Sequence, residues 1–133
     1  MAPLLNWRDY KTDACKARVA LVGTYLISEC SGYLDGPLAT IMVEMCEPMF
    51  QMGNSLGSFH IWDTKSYEPA FRTVWMDYMR KWGTKYFRDL HMYVPPGLAR
   101  MGISVAATMR IGDFHVYKSE AELLATRLET IGV

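Results

Sequence analysis

The sequence predicts an α/β fold: a single domain over residues 1–133, with a mainly parallel sheet of four to five strands and about four helices packed on it. Three observations carry this expectation. Short segments rich in Val, Ile, Tyr and Phe alternate with stretches whose apolar residues recur at helical spacing. A chain of 133 residues has the size of one domain and can bury about two thirds of the surface exposed when unfolded. Apolar residues make up 50% and charged residues 21%, a composition that argues against disorder.

Taken in chain order, Val19–Cys30 reads as a strand closed by Gly32, and residues 1–16 as an N-terminal extension whose Trp7–Ala14 segment adds a short strand and a hairpin. Asp35-Gly36-Pro37 starts a helix. Asp35 is a good N-cap, and proline is tolerated in the first turn because its missing N–H has no intrahelical partner. Leu38, Ile41, Met42, Met45, Met49 and Met52 share one face of that helix, with a kink or early end expected at Pro48. Gly53, Asn54 and Gly57 mark a loop, and Ser58–Trp62 a strand.

The next helix is expected over Tyr67–Trp82, N-capped by Ser66, with Tyr67, Phe71, Val74, Trp75, Tyr78 and Trp82 as its apolar stripe and Gly83 as its left-handed stop. Asp89–Val94 forms a strand broken by Pro95-Pro96-Gly97. Leu98, Met101, Val105 and Met109 mark a helix, and Gly112-Asp113 turns into a last strand, Phe114–Tyr117. The closing helix starts at a capping box, Ser119 with Glu122. It turns Ala121, Leu124, Leu128 and Ile131 inward and ends at Gly132. Strands alternating with helices imply right-handed crossovers and a parallel sheet.

The composition narrows the function. Lys plus Arg and Asp plus Glu are equal at 14 each, so the basic excess of a nucleic-acid binder is missing. Three cysteines, Cys15, Cys30 and Cys46, are odd in number and fall in no C-x-x-C spacing, which points to reduced thiols and a cytoplasmic setting. Neither a signal peptide nor an apolar run of membrane-spanning length is read. No P-loop, G-x-G-x-x-G or G-x-S-x-G motif is present, and Glu44, Glu47 and Asp77 show no pairing for acid–base catalysis.

Three strands share one pattern of apolar residue, histidine, apolar residue, aromatic: Phe59-His60-Ile61-Trp62, Leu90-His91-Met92-Tyr93 and Phe114-His115-Val116-Tyr117. Within each strand the histidine and the aromatic share a face. If the strands are adjacent and in register, the three imidazoles form a row. Three readings compete. His60, His91 and His115 could hold a metal, as three imidazoles with an open position do in catalytic zinc sites. They could line a ligand face with Trp62, Tyr93 and Tyr117. They could be hydrogen-bonded histidines of a sheet, which is the plainest reading. No cofactor is expected.

Several motifs in order resemble a known group. The strand ending in Ser31-Gly32-Tyr33-Leu34-Asp35, the strand ending in Asp63, and the last strand leading through Lys118-Ser119-Glu120-Ala121 into a capped helix resemble SpoIIAA-like (STAS) domains. Phe59–Asp63, Tyr67 with Arg72, and Met101-Gly102-Ile103-Ser104-Val105-Ala106 resemble the small bacterial STAS/SEC14-like proteins within that group. The similarity runs over roughly residues 19–131.

It implies a cytoplasmic, non-enzymatic regulatory domain that binds a protein partner, of the anti-sigma-factor or kinase type, and is switched by phosphorylation. The SEC14-like relationship implies a lipid or other small apolar ligand as the alternative. In the family the phosphate-accepting serine lies in an Asp-Ser-Ser-Gly-type motif at the start of the second helix. Here the chain reads Asp63-Thr64-Lys65-Ser66-Tyr67, so Ser66 or Thr64 takes the comparable place while the glycine and the paired serines are missing. Ser66 as a simple N-cap is the blander reading. A small enzyme using His60, His91 or His115 with Asp63 is the third class, and a homodimer is compatible with all of them.

Overall fold

The computed structural model describes residues 7–50, 56–98 and 113–133. The elements are β1 (Arg8–Lys11), β2 (Cys15–Val22), β3 (Tyr25–Leu34), α1 (Gly36–Phe50), β4 (Leu56–Tyr67), α2 (Pro69–Tyr86), β5 (Phe87–Tyr93), a single 3₁₀ turn (Pro96–Leu98), β6 (Asp113–Tyr117) and α3 (Glu120–Ile131). The six strands form one sheet in sequence order, β1-β2-β3-β4-β5-β6. The β1–β2 and β2–β3 pairs are antiparallel, and the other three are parallel. The α/β class and the mostly parallel sheet agree with expectation, but the sheet has six strands rather than four to five, because the run read as one strand is a hairpin of two. Among the described residues there are three helices, and the helix expected at Leu98–Met109 falls largely outside them, as does the Met101–Ala106 motif.

The predicted strand Val19–Cys30 is two strands. Val22 pairs with Tyr25, so Gly23 and Thr24 form a two-residue hairpin loop. Gly23 has φ +59, the left-handed value such loops need on their first residue to match strand twist. Gly32 does not close the strand but lies within β3 at φ +97, where the β3–β4 register shifts. A Cβ there would meet the carbonyl oxygen of Ala14, which accepts a hydrogen bond from Tyr33 N at 2.9 Å.

The caps of the first and last helices follow the sequence. Asp35 Oδ1 accepts from Leu38 N at 2.8 Å, and α1 runs through Pro48 almost to its end. Ser119 Oγ accepts from Glu122 N at 3.2 Å, and Gly132, at φ +78, donates its N–H to Leu128 O at 2.9 Å. The second helix departs from expectation. It starts at Pro69 and continues past Gly83 to Tyr86, while Tyr67 and Ser66 belong to β4.

α1 and α2 pack together on one face of the sheet. There Leu26, Leu34, Leu38, Met42, Trp62, Phe71, Trp75, Met79, Leu90 and Met92 make the main core. α3 covers the other face over β4–β6, where Phe59, Ile61 and Leu123 are buried among Tyr25, Tyr93, Tyr117, Leu124 and Ile131. Of the four residues predicted to face inward from α3, Leu124 and Ile131 pack against this cluster, whereas Ala121 and Leu128 are exposed. Leu123 and Arg127 are the buried residues of the helix, and Leu128 is 60% exposed.

The chain has no described helix long and apolar enough to cross a membrane.

Candidate functional site

α3 covers β4–β6 and reaches β3 through Arg127, and Ala20 and Ile27 are buried on the same face, but beyond them β1, the Cys15–Arg18 part of β2 and the Glu29–Ser31 part of β3 leave it open. Alternation along the strands decides which side chains it presents. Ala17, Val19 and Cys30 point into the main core, so Lys16, Arg18, Glu29 and Ser31 point the other way. Register then aligns Lys11, Lys16, Ser31 and Asp63 in one row across four strands, and Asp9, Arg18, Glu29 and Ile61 in the next.

A groove of about 600 Å³ lies over these rows, walled on its far side by Glu120 at the start of α3. It sits toward the carboxyl ends of β3 and β4, the end at which open α/β sheets usually bind ligands. Its floor is a fixed charge network. Glu29 Oε2 accepts from Arg18 Nε at 2.7 Å, and Glu29 Oε1 accepts from Arg127 Nη1 at 2.8 Å. Arg127 also donates Nε–H to the Val133 carbonyl at 2.9 Å, and Arg18 stacks on the Trp7 ring at 3.9 Å. Burial pushes the Glu29 carboxyl up, but the hydrogen bonds and charges of Arg18 and Arg127 together outweigh it and hold the group below its ordinary range. This network was not visible in the sequence, because its members lie far apart and form no motif.

The three histidines do not form one row. β5 and β6 are in register, with His91 opposite His115, but β4 is offset by one residue, with Phe59 opposite His91 and His60 opposite Met92. A one-residue offset sends a side chain to the other face. The predicted six-residue ligand face is therefore split: His60 and Trp62 lie under α2, while His91, Tyr93, His115 and Tyr117 lie on the α3 side. The metal reading of all three histidines fails with it, since a trio divided between two faces of a sheet cannot converge. Among the described residues no cluster of three or more His, Cys, Asp or Glu is placed to hold a metal.

His60 is fully buried. Its Nδ1 shares a hydrogen bond with Ser28 Oγ, and its ring stands 6.0 Å from Trp75 and 6.4 Å from Trp62. Burial pulls its pKa down to about 3, so it is neutral at physiological pH. His91 belongs to a ladder of rings crossing four strands. Tyr25 lies 5.4 Å from Phe59, Phe59 stacks on His91 at 4.6 Å, and His91 stacks on His115 at 4.8 Å. The His91 Nδ1 and the Tyr117 hydroxyl are 2.8 Å apart, Asp89 Oδ2 is 3.7 Å from His91 Nε2, and Tyr25 donates to Asp89 Oδ2 at 3.1 Å.

Ser66 is not an N-cap. It is an exposed residue of β4, paired with Tyr33, and follows a bulge that leaves Lys65 without a partner in the register. Its neighbour Tyr67 packs into the main core, so Ser66 faces the open side with Asp63. The Thr64 side chain lies outside the described residues. Glu68 joins the starts of the two helices: its carboxylate accepts from Gly36 N at 3.0 Å and from the Tyr33 hydroxyl at 3.1 Å. That bond to Glu68 pushes the Tyr33 phenol pKa up.

All three cysteines are buried and free, and burial pushes the thiols of Cys30 and Cys46 up, Cys46 to about 12, which makes both poor nucleophiles.

No family model matches the chain, and no curated protein matches it.

Proposed function

We propose that this chain is a non-enzymatic regulatory domain of the SpoIIAA-like kind, which docks a protein partner on the open face of its sheet and is switched at Ser66. The observation that carries this reading is the position of Ser66: exposed, at the carboxyl end of β4, on the open side of the sheet and beside the Tyr33–Glu68–Gly36 bracket.

A phosphate on Ser66 would add close to two negative charges next to Tyr33, whose hydroxyl is held by Glu68. Its oxygens would compete for that hydroxyl and repel the Glu68 carboxylate, which also satisfies the first N–H of α1. Both effects change the surface a partner meets while leaving the core untouched.

The sequence-ordered α/β sheet, the uncovered part of its face, and the resemblance of the motifs around Ser31–Asp35, Asp63 and Lys118–Ala121 support this reading.

The test is phosphosite mass spectrometry on protein from its native cell, together with capture of partners by wild type, Ser66→Ala and Ser66→Asp. The expected result is a phosphate on Ser66 and a partner held by Ser66→Ala but lost by Ser66→Asp. An unmodified Ser66, with one partner set held equally by all three proteins, contradicts the proposal.

A further inference from the structure

The groove over β1–β4 contains more charge than its own pairs neutralise. Glu29 is matched by Arg18 and Arg127. The remaining ionic groups on the Lys11–Lys16–Ser31–Asp63 row are separated by sign. Lys11 and Lys16 stand directly opposite each other on β1 and β2, and neither has a carboxylate partner among the described residues. Like charges in such a cross-strand pair cost about 0.2–1 kcal/mol, which an anion between them would relieve. At the other end, Asp63 on β4 and Glu120 on α3 line the same groove, and neither has a cationic partner among the described residues. Asp9 lies one row away, opposite Arg18.

We propose that this groove binds a short zwitterionic peptide, with its carboxylate on Lys11 and Lys16 and its ammonium toward Asp63 and Glu120. Lys16 and Asp63 lie in register with Ser31 between them, so their backbones are two strand spacings apart, about 10 Å. An extended chain rises about 3.4 Å per residue, so the terminal charges of a tripeptide match that span. The groove's volume, about 600 Å³, falls within the range of small-ligand sites. The Ser31 hydroxyl lies at the middle of the row, where a peptide amide would pass. The inference does not depend on a protein partner or on Ser66, so each can fail without the other.

The probe is tri-alanine with free termini, compared with N-acetyl-tri-alanine and tri-alanine amide, each titrated into the ¹⁵N-labelled full chain and followed by amide shifts. Tri-alanine is expected to give saturable shifts centred on Lys11, Lys16, Ser31, Asp63 and Glu120. Each blocked peptide is expected to bind about tenfold more weakly or worse. Lys11→Gln/Lys16→Gln should abolish discrimination against tri-alanine amide, and Asp63→Asn/Glu120→Gln discrimination against the acetylated peptide. These four positions are exposed, so the variants should keep the wild-type spectrum elsewhere. No saturable shift up to about 10 mM tri-alanine, equal binding of blocked and free peptides, or shifts centred away from the groove would each overturn the proposal.

Discussion

Removing the Glu29 carboxylate should loosen the C-terminal helix from the centre of the sheet. Glu29 lies on β3 and Arg127 on α3, and the 2.8 Å bond between them ties the two elements. The Arg127 and Glu29 side chains are 10% and 18% exposed, well short of a surface pair. A surface pair contributes roughly 0–1 kcal/mol, and breaking a fully buried one costs about 3–5 kcal/mol. The Arg127 bond falls between these limits, at about 2 kcal/mol. Arg18, at 45% exposure, adds at most about 0.5 kcal/mol once solvent screening is included.

Glu29→Gln is therefore expected to lose about 2 kcal/mol, which moves the urea midpoint down by about 1 M for a chain of this size. A double-mutant cycle assigns the loss: coupling of about 1.5–2 kcal/mol between Glu29→Gln and Arg127→Met, and under about 0.5 kcal/mol with Arg18→Met. A loss below about 0.5 kcal/mol, or stronger coupling to Arg18 than to Arg127, would show that the Arg127 bond does not hold α3 to β3.

Four further outcomes follow from the same geometry. His60, with its pKa near 3 in the fold against 6.5 when free, should show no imidazole titration between pH 5 and 8 by NMR. Because the unfolded chain takes up that proton first, stability should be complete above pH 6.5 and fall progressively toward about pH 3. Glu29, whose folded pKa lies below the ordinary 4.5, contributes stability that is present above pH 4.5 and is lost as pH drops through the lower folded value, so acid titration of the midpoint should steepen below 4.5. Gly57→Ala should cost about 1–3 kcal/mol in chemical denaturation, since a Cβ there would run into the Tyr25 ring and the Asp89 carboxylate. Ser119→Ala should cost about 1 kcal/mol by losing the cap on Glu122 N, with hydrogen exchange rising first in the opening turn of α3.

Much of the architecture was legible where local chemistry determines it. Asp35, Ser119 with Glu122, and Gly132 act through contacts within one helical turn, and each does in the structure what its position implies. The strands around His60, His91 and His115 were found for the same reason. The hairpin at Gly23–Thr24 was missed because Val19–Cys30 reads as one β-rich run, with only a single glycine to break it.

Register was the larger loss. Parallel strands are joined by crossover helices, so the packing of α2 sets the β4–β5 offset, and no pattern within either strand carries that information. This separated His60 from His91 and His115. Ser66 was misplaced because β4 continues through a bulge beyond the apolar run that marked it. The charged groove was not legible at all: its residues run from Asp9 to Glu120, and only the sheet order and the partial cover of α3 bring them together.

The open part of the sheet is the proposed working surface, and site-specific photo-crosslinking from both sides of the sheet distinguishes it from the helical side. One probe replaces Ser31, in the middle of the open face, and a second replaces Thr73, exposed on α2 on the opposite side. In the native cell a discrete crosslinked protein is expected from position 31, none from position 73, and loss of the first product in a Ser66→Asp background. Crosslinking from position 73 alone, or equally from both, would contradict the proposal.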